Sequence, residues 1–127
     1  MRGISYISSW TALQYYGLTT EIINIITSVT EKVTRDYETK LGTFSYQSIN
    51  KKLFSDFSLV SGTFEFFIAS PSKALFDLLY FKTNQFRGIK FEEVGHLIES
   101  LRIDIDEMSA EETEKFYSLV KKYLSYE

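Results

Sequence analysis

The chain holds one histidine, His96, with Glu92 and Glu99 about one helical turn to either side of it. On a helix that spacing puts an imidazole and a carboxylate on one face. Such a pair can take and return the proton of a serine nucleophile. The serine half of the machinery is missing, because no Gly-x-Ser-x-Gly turn is present. We therefore read the His96 pair as a solvated helix face. A second constellation is Glu38-Thr39-Lys40, with Glu21 or Asp36 as an upstream acid. An acid followed by Glu-x-Lys is what a Mg²⁺-dependent nuclease needs to hold the ion and position water. In a strand, however, alternation turns Glu38 and Lys40 to one side, where water is their natural partner. With 24% charged residues, a tripeptide of this kind arises by chance, and we read it as a strand surface.

Other routes to chemistry close quickly. The six glycines are scattered, with no Walker pattern and no GxGxxG to cradle phosphates. The absence of cysteine removes thiol nucleophiles, thiolate metal sites and disulfides. One imidazole excludes a zinc site built on two or more within one chain. The expectation is a non-enzymatic protein with no cofactor and no metal.

Two charge patterns remain. Lys73 and Asp77 sit four apart in an otherwise apolar stretch of Ala74, Leu75, Phe76, Leu78, Leu79, Tyr80 and Phe81. A buried charge is costly unless paired. The two either clamp each other inside the fold or face a partner, and we favour the clamp. Lys32, Arg35, Lys40, Lys51 and Lys52 cluster with Tyr37, Tyr46, Phe54 and Phe57 interleaved. That mixture suits base stacking and phosphate contacts. The whole chain is acidic, with a net charge of −3, whereas strong nucleic-acid binders carry a basic excess. A solvated sheet face over core aromatics is the simpler reading.

These residues need a scaffold. At 127 residues, 44% hydrophobic and 17% aromatic, the chain is long enough for one domain with a real core and too apolar for global disorder. Residues 8–17 predict a short helix, with Ser8 or Ser9 as cap and Gly17 as stop. The β-branched run from Ile22 to Val29, the alternation over 33–40, and Phe44 and Tyr46 predict strands joined by connections too short for crossover helices. We expect them to form an antiparallel meander. Leu59 to Ala69 continues the β region, with Gly62 marking a bend or hairpin. Ser70-Pro71 starts a helix that is apolar nearly all round. Phe91, Val94, Leu97, Ile98 and Leu101 space as another helix. Ser109 and Glu112 predict a capping box before a third. The fold class is α+β: a short N-terminal helix, an antiparallel β-rich middle (about 20–69), and three C-terminal helices (about 71–82, 91–102 and 110–125). No apolar run reaches the ~18–20 residues of a membrane span, and no signal-peptide pattern opens the chain. A cytoplasmic protein that makes no membrane contact is expected.

A colinear series then stands out: Ser5-Tyr6-Ile7-Ser8, Ala12-Leu13, Tyr16-Gly17-Leu18, Thr27-Ser28-Val29-Thr30, Thr34-Arg35, Gly42-Thr43-Phe44-Ser45-Tyr46, and Ile68-Ala69-Ser70-Pro71-Ser72-Lys73-Ala74-Leu75 with Asp77 and Leu79-Tyr80. In order and spacing it resembles the effector domain of AbiEi-type antitoxins across roughly residues 5–81; the remainder matches only as helices. The resemblance implies a regulator that counteracts a nucleotidyltransferase-type toxin in a phage-defence toxin–antitoxin system. Such a system is type IV, in which the two proteins need not form a stable complex. In that family DNA is bound by an N-terminal winged helix-turn-helix. This chain opens where that element would end, so residues 1–127 are expected to be the effector domain alone, without family-type DNA binding. Among the positions the family pattern marks, Arg35, Tyr46, Lys73 and Asp77 are least explained by packing. They are the candidate interaction surface or its supporting polar network. One departure is Ser72, where the family pattern has Glu in the first turn of the helix. The alternative function is a nucleic-acid-binding accessory domain of a bacterial transcriptional regulator, using the basic and aromatic β region.

Overall fold

The computed structural model describes residues 5–21, 25–30, 35–39, 42–62 and 65–125, with backbone alone at 35–39 and 42–44. The α+β class is as expected. Among the described residues six strands form one sheet in the order β3-β4-β2-β1-β6-β5: β1 Ser5–Ile7, β2 Ile25–Thr30, β3 Arg35–Thr39, β4 Gly42–Ser48, β5 Phe57–Val60 and β6 Phe66–Ala69. The helices are α1 Ser9–Tyr15, α2 Pro71–Lys82, α3 Val94–Ser100 and α4 Ala110–Ser125. A 3₁₀ turn, Phe91–Glu93, leads into α3, so the expected span of about 91–102 is helical from 91 to 100.

The sheet is mixed rather than an antiparallel meander. β1–β2, β3–β4 and β5–β6 are antiparallel, but β2–β4 and β1–β6 are parallel. The reason is geometric. The chain reverses between β2 and β3 and again between β3 and β4, so β4 runs the same way as β2. β4 then pairs with β2 along six register positions and leaves β3 at the edge. Local pattern reports that a strand exists, not which neighbour it takes. β5 and β6 form the hairpin that Gly62 suggested. β1 is the strand that the pattern did not announce, and three residues are too few for alternation to register.

Both strands of the parallel β1–β6 pair run into a helix through one serine. Ser8 precedes α1 and Ser70 precedes α2. α1 ends as expected at Gly17, whose φ is +75°. Gly17 N–H donates to Gln14 and Leu18 N–H to Leu13, a Schellman closure of the last carbonyls. α2 starts at its cap as expected, with Ser70 Oγ accepting from Lys73 N–H and Pro71 in the first turn. From Ser72 to Tyr80 every residue of α2 is buried. α1 lies against one side of it and α4 against another, so α2 is the central column of the core. Phe76 and Tyr80 on α2 meet Phe86 and Tyr123 in an aromatic cluster. Among the described residues, no helix is long and apolar enough to cross a membrane.

Candidate functional site

The site is built where β1 meets α2. Strand alternation turns Tyr6 and Val29, register partners on β1 and β2, into the core. Helical spacing puts Lys73 and Asp77 one above the other on α2. Their side chains are 1% and 0% exposed and form an ion pair. Of the two roles open to them, the internal clamp is the one adopted. Two hydroxyls complete the network. Tyr6 Oη donates to Asp77 Oδ2 at 2.8 Å, and Ser8 Oγ donates to the same oxygen at 2.7 Å. Lys73 Nζ donates to Asp77 Oδ1 and to Tyr6 Oη, the latter at 2.9 Å. Tyr6 therefore accepts from the cation and donates to the anion. The ammonium also lies 5.4 Å from the Tyr6 ring centroid and 5.5 Å from that of Phe76, which adds cation–π attraction.

The electrostatics follow from this burial. Loss of water pushes the Asp77 carboxyl above the ordinary carboxylate range, against the pull of the Lys73 ammonium and its hydrogen bonds from Lys73, Ser8 and Tyr6. Burial, reinforced by the Asp77 charge, drives the Tyr6 phenol far above the ordinary tyrosine value. Among the described residues no buried side-chain nitrogen or oxygen lacks a partner. A network this closed cannot meet a reactant. It ties strand to helix and fixes the shape around it.

The first turn of α2 is completed from elsewhere. It contains no acid of its own, but Glu112 on α4 reaches across, and its Oε1 accepts from Ser72 N–H at 3.0 Å. This differs from the expected capping box. Ser109 Oγ does accept from Glu112 N–H, at 3.1 Å, while the Glu112 carboxylate is turned to α2. A carboxylate near those free amides is favourable for the helix dipole. Glu112 thus supplies in space the acid that the first turn of α2 lacks in sequence.

Arg35 and Tyr46 are placed apart from this network. They are register partners on β3 and β4, and the row continues through Ser28, Ile7, Ile68 and Ser58 across all six strands. The Arg35 side chain lies outside the described residues; Tyr46 is half-buried. Alternation puts Ile7 on the opposite face of β1 from Tyr6. The structure thus joins Lys73 with Asp77 through their side chains, and Arg35 with Tyr46 in backbone register alone.

The remaining candidates resolve simply where they are described. His96 and Glu99 are 88% and 85% exposed and 4.0 Å apart, on the solvated face expected. The side chains of Asp36 and Glu38, and all of Lys40, lie outside the described residues, as do Lys32 and the Tyr37 side chain. Among the described residues no group of three or more His, Cys, Asp or Glu is placed to hold a metal. Lys51 and Lys52 are exposed, but the aromatics that follow them turn inward. Phe57 stacks on Tyr6 at 4.7 Å, and Phe54 tilts against both. Those rings support the buried network instead of offering faces to bases. The reading of the residues missed Ser8 and Glu112 as members of the site. Both looked like local caps, and each spends its side chain on a partner at least 40 residues away.

No family model matches the chain, and neither does any curated protein or solved structure.

Proposed function

We propose that this chain is the toxin-counteracting domain of an AbiEi-type antitoxin. It is a non-enzymatic cytoplasmic regulator that opposes a nucleotidyltransferase-type toxin in phage defence. The observation that carries the reading joins sequence to structure. Tyr6 and Ser8 come from one end of the colinear series, Lys73 and Asp77 from the other, and the four meet in one buried network. A series preserved by a common fold has this property, because its spacing serves contacts between distant parts of the chain. On this reading the network holds the sheet and α2 in the shape that counteracts the toxin. Arg35 and Tyr46, away from the network, supply contacts.

The test is growth rescue. A nucleotidyltransferase-type toxin, taken from beside this gene where one is encoded there, is induced with and without residues 1–127. The expected result is restored growth with the wild-type chain and loss of rescue with Arg35→Ala, Tyr46→Ala, a double change that leaves the buried pair intact. Folding of the variant is checked by circular dichroism. A well-expressed, folded wild-type chain that fails to rescue, with any upstream coding sequence restored as well, overturns the reading.

A further inference from the structure

α2 and α4 run parallel. Near their starts Glu112 reaches Ser72 N–H, and near their ends Tyr123 meets Phe76 and Tyr80. Their last turns therefore share one end of the molecule. α2 brings Lys82 there, α4 brings Lys121 and Lys122, and the loop after α2 adds Arg87 and Lys90; all five are exposed. Helix dipoles account for Lys82 and Lys122, each in a last turn. They do not account for Arg87 and Lys90, which lie in the loop. Among the described residues none of the five enters an ion pair. Glu92 and Glu93 border the group, and Glu93 Oε1 is engaged by Lys90 N–H at 2.8 Å.

The loop is held in a strained shape. Asn84, Gln85 and Phe86 have φ of +53°, +66° and +59°, left-handed values that a Cβ disfavours. Three in a row persist only where the surroundings impose them. Phe86 is fully buried against Phe76, Tyr80 and Tyr123. Gln85 N–H donates to Tyr80 C=O at 2.7 Å, and Phe86 N–H to Thr83 Oγ1 at 2.8 Å. With Phe86 as the plug, Asn84, Gln85 and Arg87 stay exposed on a fixed turn. The chain then brings Phe91 to Tyr117, ring centroids 6.1 Å apart, one helical turn before Lys121. Phe91 remains 38% exposed.

We propose that this end of the molecule binds single-stranded nucleic acid, with the cations on its phosphates and Phe91 under a base. The net charge of −3 does not oppose this, because the acids of α4 stand at its other end. Glu114, the last of them, lies about 10 Å along the axis from Lys121. That exceeds the Debye length of ~8 Å at physiological salt. An acidic protein fits less well, since protein interfaces are built round an apolar centre. Here Phe86 is turned inward, and Phe91 alone suits one stacked base. A duplex keeps its bases stacked on each other and leaves Phe91 without a partner. RNA and DNA strands present the same phosphates and base faces.

The test is fluorescence anisotropy of the full chain with labelled oligouridylate and oligodeoxyuridylate of about 15 nucleotides. A hairpin duplex and poly-glutamate serve as competitors. The expected result is saturable binding whose affinity falls with salt at a log–log slope of about −3, as four or five phosphate contacts imply. Arg87→Gln with Lys90→Gln, both exposed, should flatten that slope by about 1 and weaken binding at low salt. Phe91→Leu should weaken binding at least about fivefold and leave the slope unchanged, a split that charge alone does not produce. Lys51→Gln with Lys52→Gln, cations of the β region, should change nothing. Amide shifts in the wild-type chain locate the contact independently of any variant, at residues 82–91 and 121–123. The tighter of the two strands names RNA or DNA as the source, and equal affinity means that the 2′-hydroxyl is not read. Any of five results overturns the proposal: no saturation up to about 100 μM, weaker than any specific contact of this size; a duplex or poly-glutamate that competes as well as the single strand; unchanged binding in either patch variant; equal loss in the Lys51, Lys52 variant; or shifts elsewhere.

Discussion

α2 and α4 carry the same local chemistry in opposite settings. Each has a lysine and an acid four residues apart, Lys73 with Asp77 and Glu111 with Lys115. In α2 both side chains are closed off from water; in α4 they are 79% and 59% exposed and 3.5 Å apart. The difference teaches that spacing alone says nothing about worth. An exposed pair gains little, because water screens it and two flexible side chains must be held. A buried pair has already lost its hydration, so removing one partner strands the other. Tyr6 and Ser8 contribute two further hydrogen bonds to Asp77, whereas among the described residues no hydroxyl bonds the carboxylate of Glu111.

The sharpest way to break this comparison is Asp77→Asn, which leaves the Lys73 charge buried. The expected loss is about 3–5 kcal/mol, a large share of a typical domain's stability, read as a fall in the urea midpoint. Replacing both charges together, Lys73→Met with Asp77→Leu, should recover most of it. If the single change costs no more than a surface pair does, the network is not what holds β1 to α2.

Tyr6→Phe comes next. It removes one bond from each partner and should cost about 1–3 kcal/mol at neutral pH. It also changes the alkaline limb. Burial raises the folded-state value of the Tyr6 phenol, so its contribution is complete below the ordinary tyrosine value of ~10 and is lost as pH rises above it. The folded protein keeps a proton that the unfolded chain releases. Stability measured from about pH 8 to 11 should fall less steeply in Tyr6→Phe, by one proton's slope. Tyr16 and Tyr80, also raised by burial, retain their share of the decline.

A smaller effect tests the acid that α4 lends to α2. Glu112→Gln weakens the helix-start contact and should cost about 1 kcal/mol. Ser72→Glu alone places a second carboxylate against Glu112 at a position only 2% exposed and destabilises; introduced together with Glu112→Gln, it should cost less than the two single changes add up to. A double-mutant cycle in urea reads that coupling, and additive effects would refute the exchange. The smallest effect closes the comparison: Glu111→Ala should move stability by no more than ~0.5 kcal/mol.

What the residues made legible follows one rule. Features whose partners lie within a few positions could be read directly. The Ser70-Pro71 start, the Gly17 stop, the all-round apolar α2, the stripe of α4 and the Lys73–Asp77 clamp are all of this kind. They depend on caps, backbone freedom and helical period, which act locally. Features whose partners are remote could not. Ser8 occupies the cap position of α1, yet its hydroxyl bonds Asp77, 69 residues on. Glu112 has the spacing of a capping box, yet its carboxylate completes another helix. β4 has the pattern of a strand, but its parallel place beside β2 came from two chain reversals. By itself, the sequence determined the helices, the apolar core and the α+β class, because propensity and periodicity belong to short segments. The tertiary structure alone decided the order and direction of the strands and the membership of the buried network. A hydroxyl or carboxylate takes the partner that folding leaves within about 3 Å of it, and that distance is not written in its neighbours.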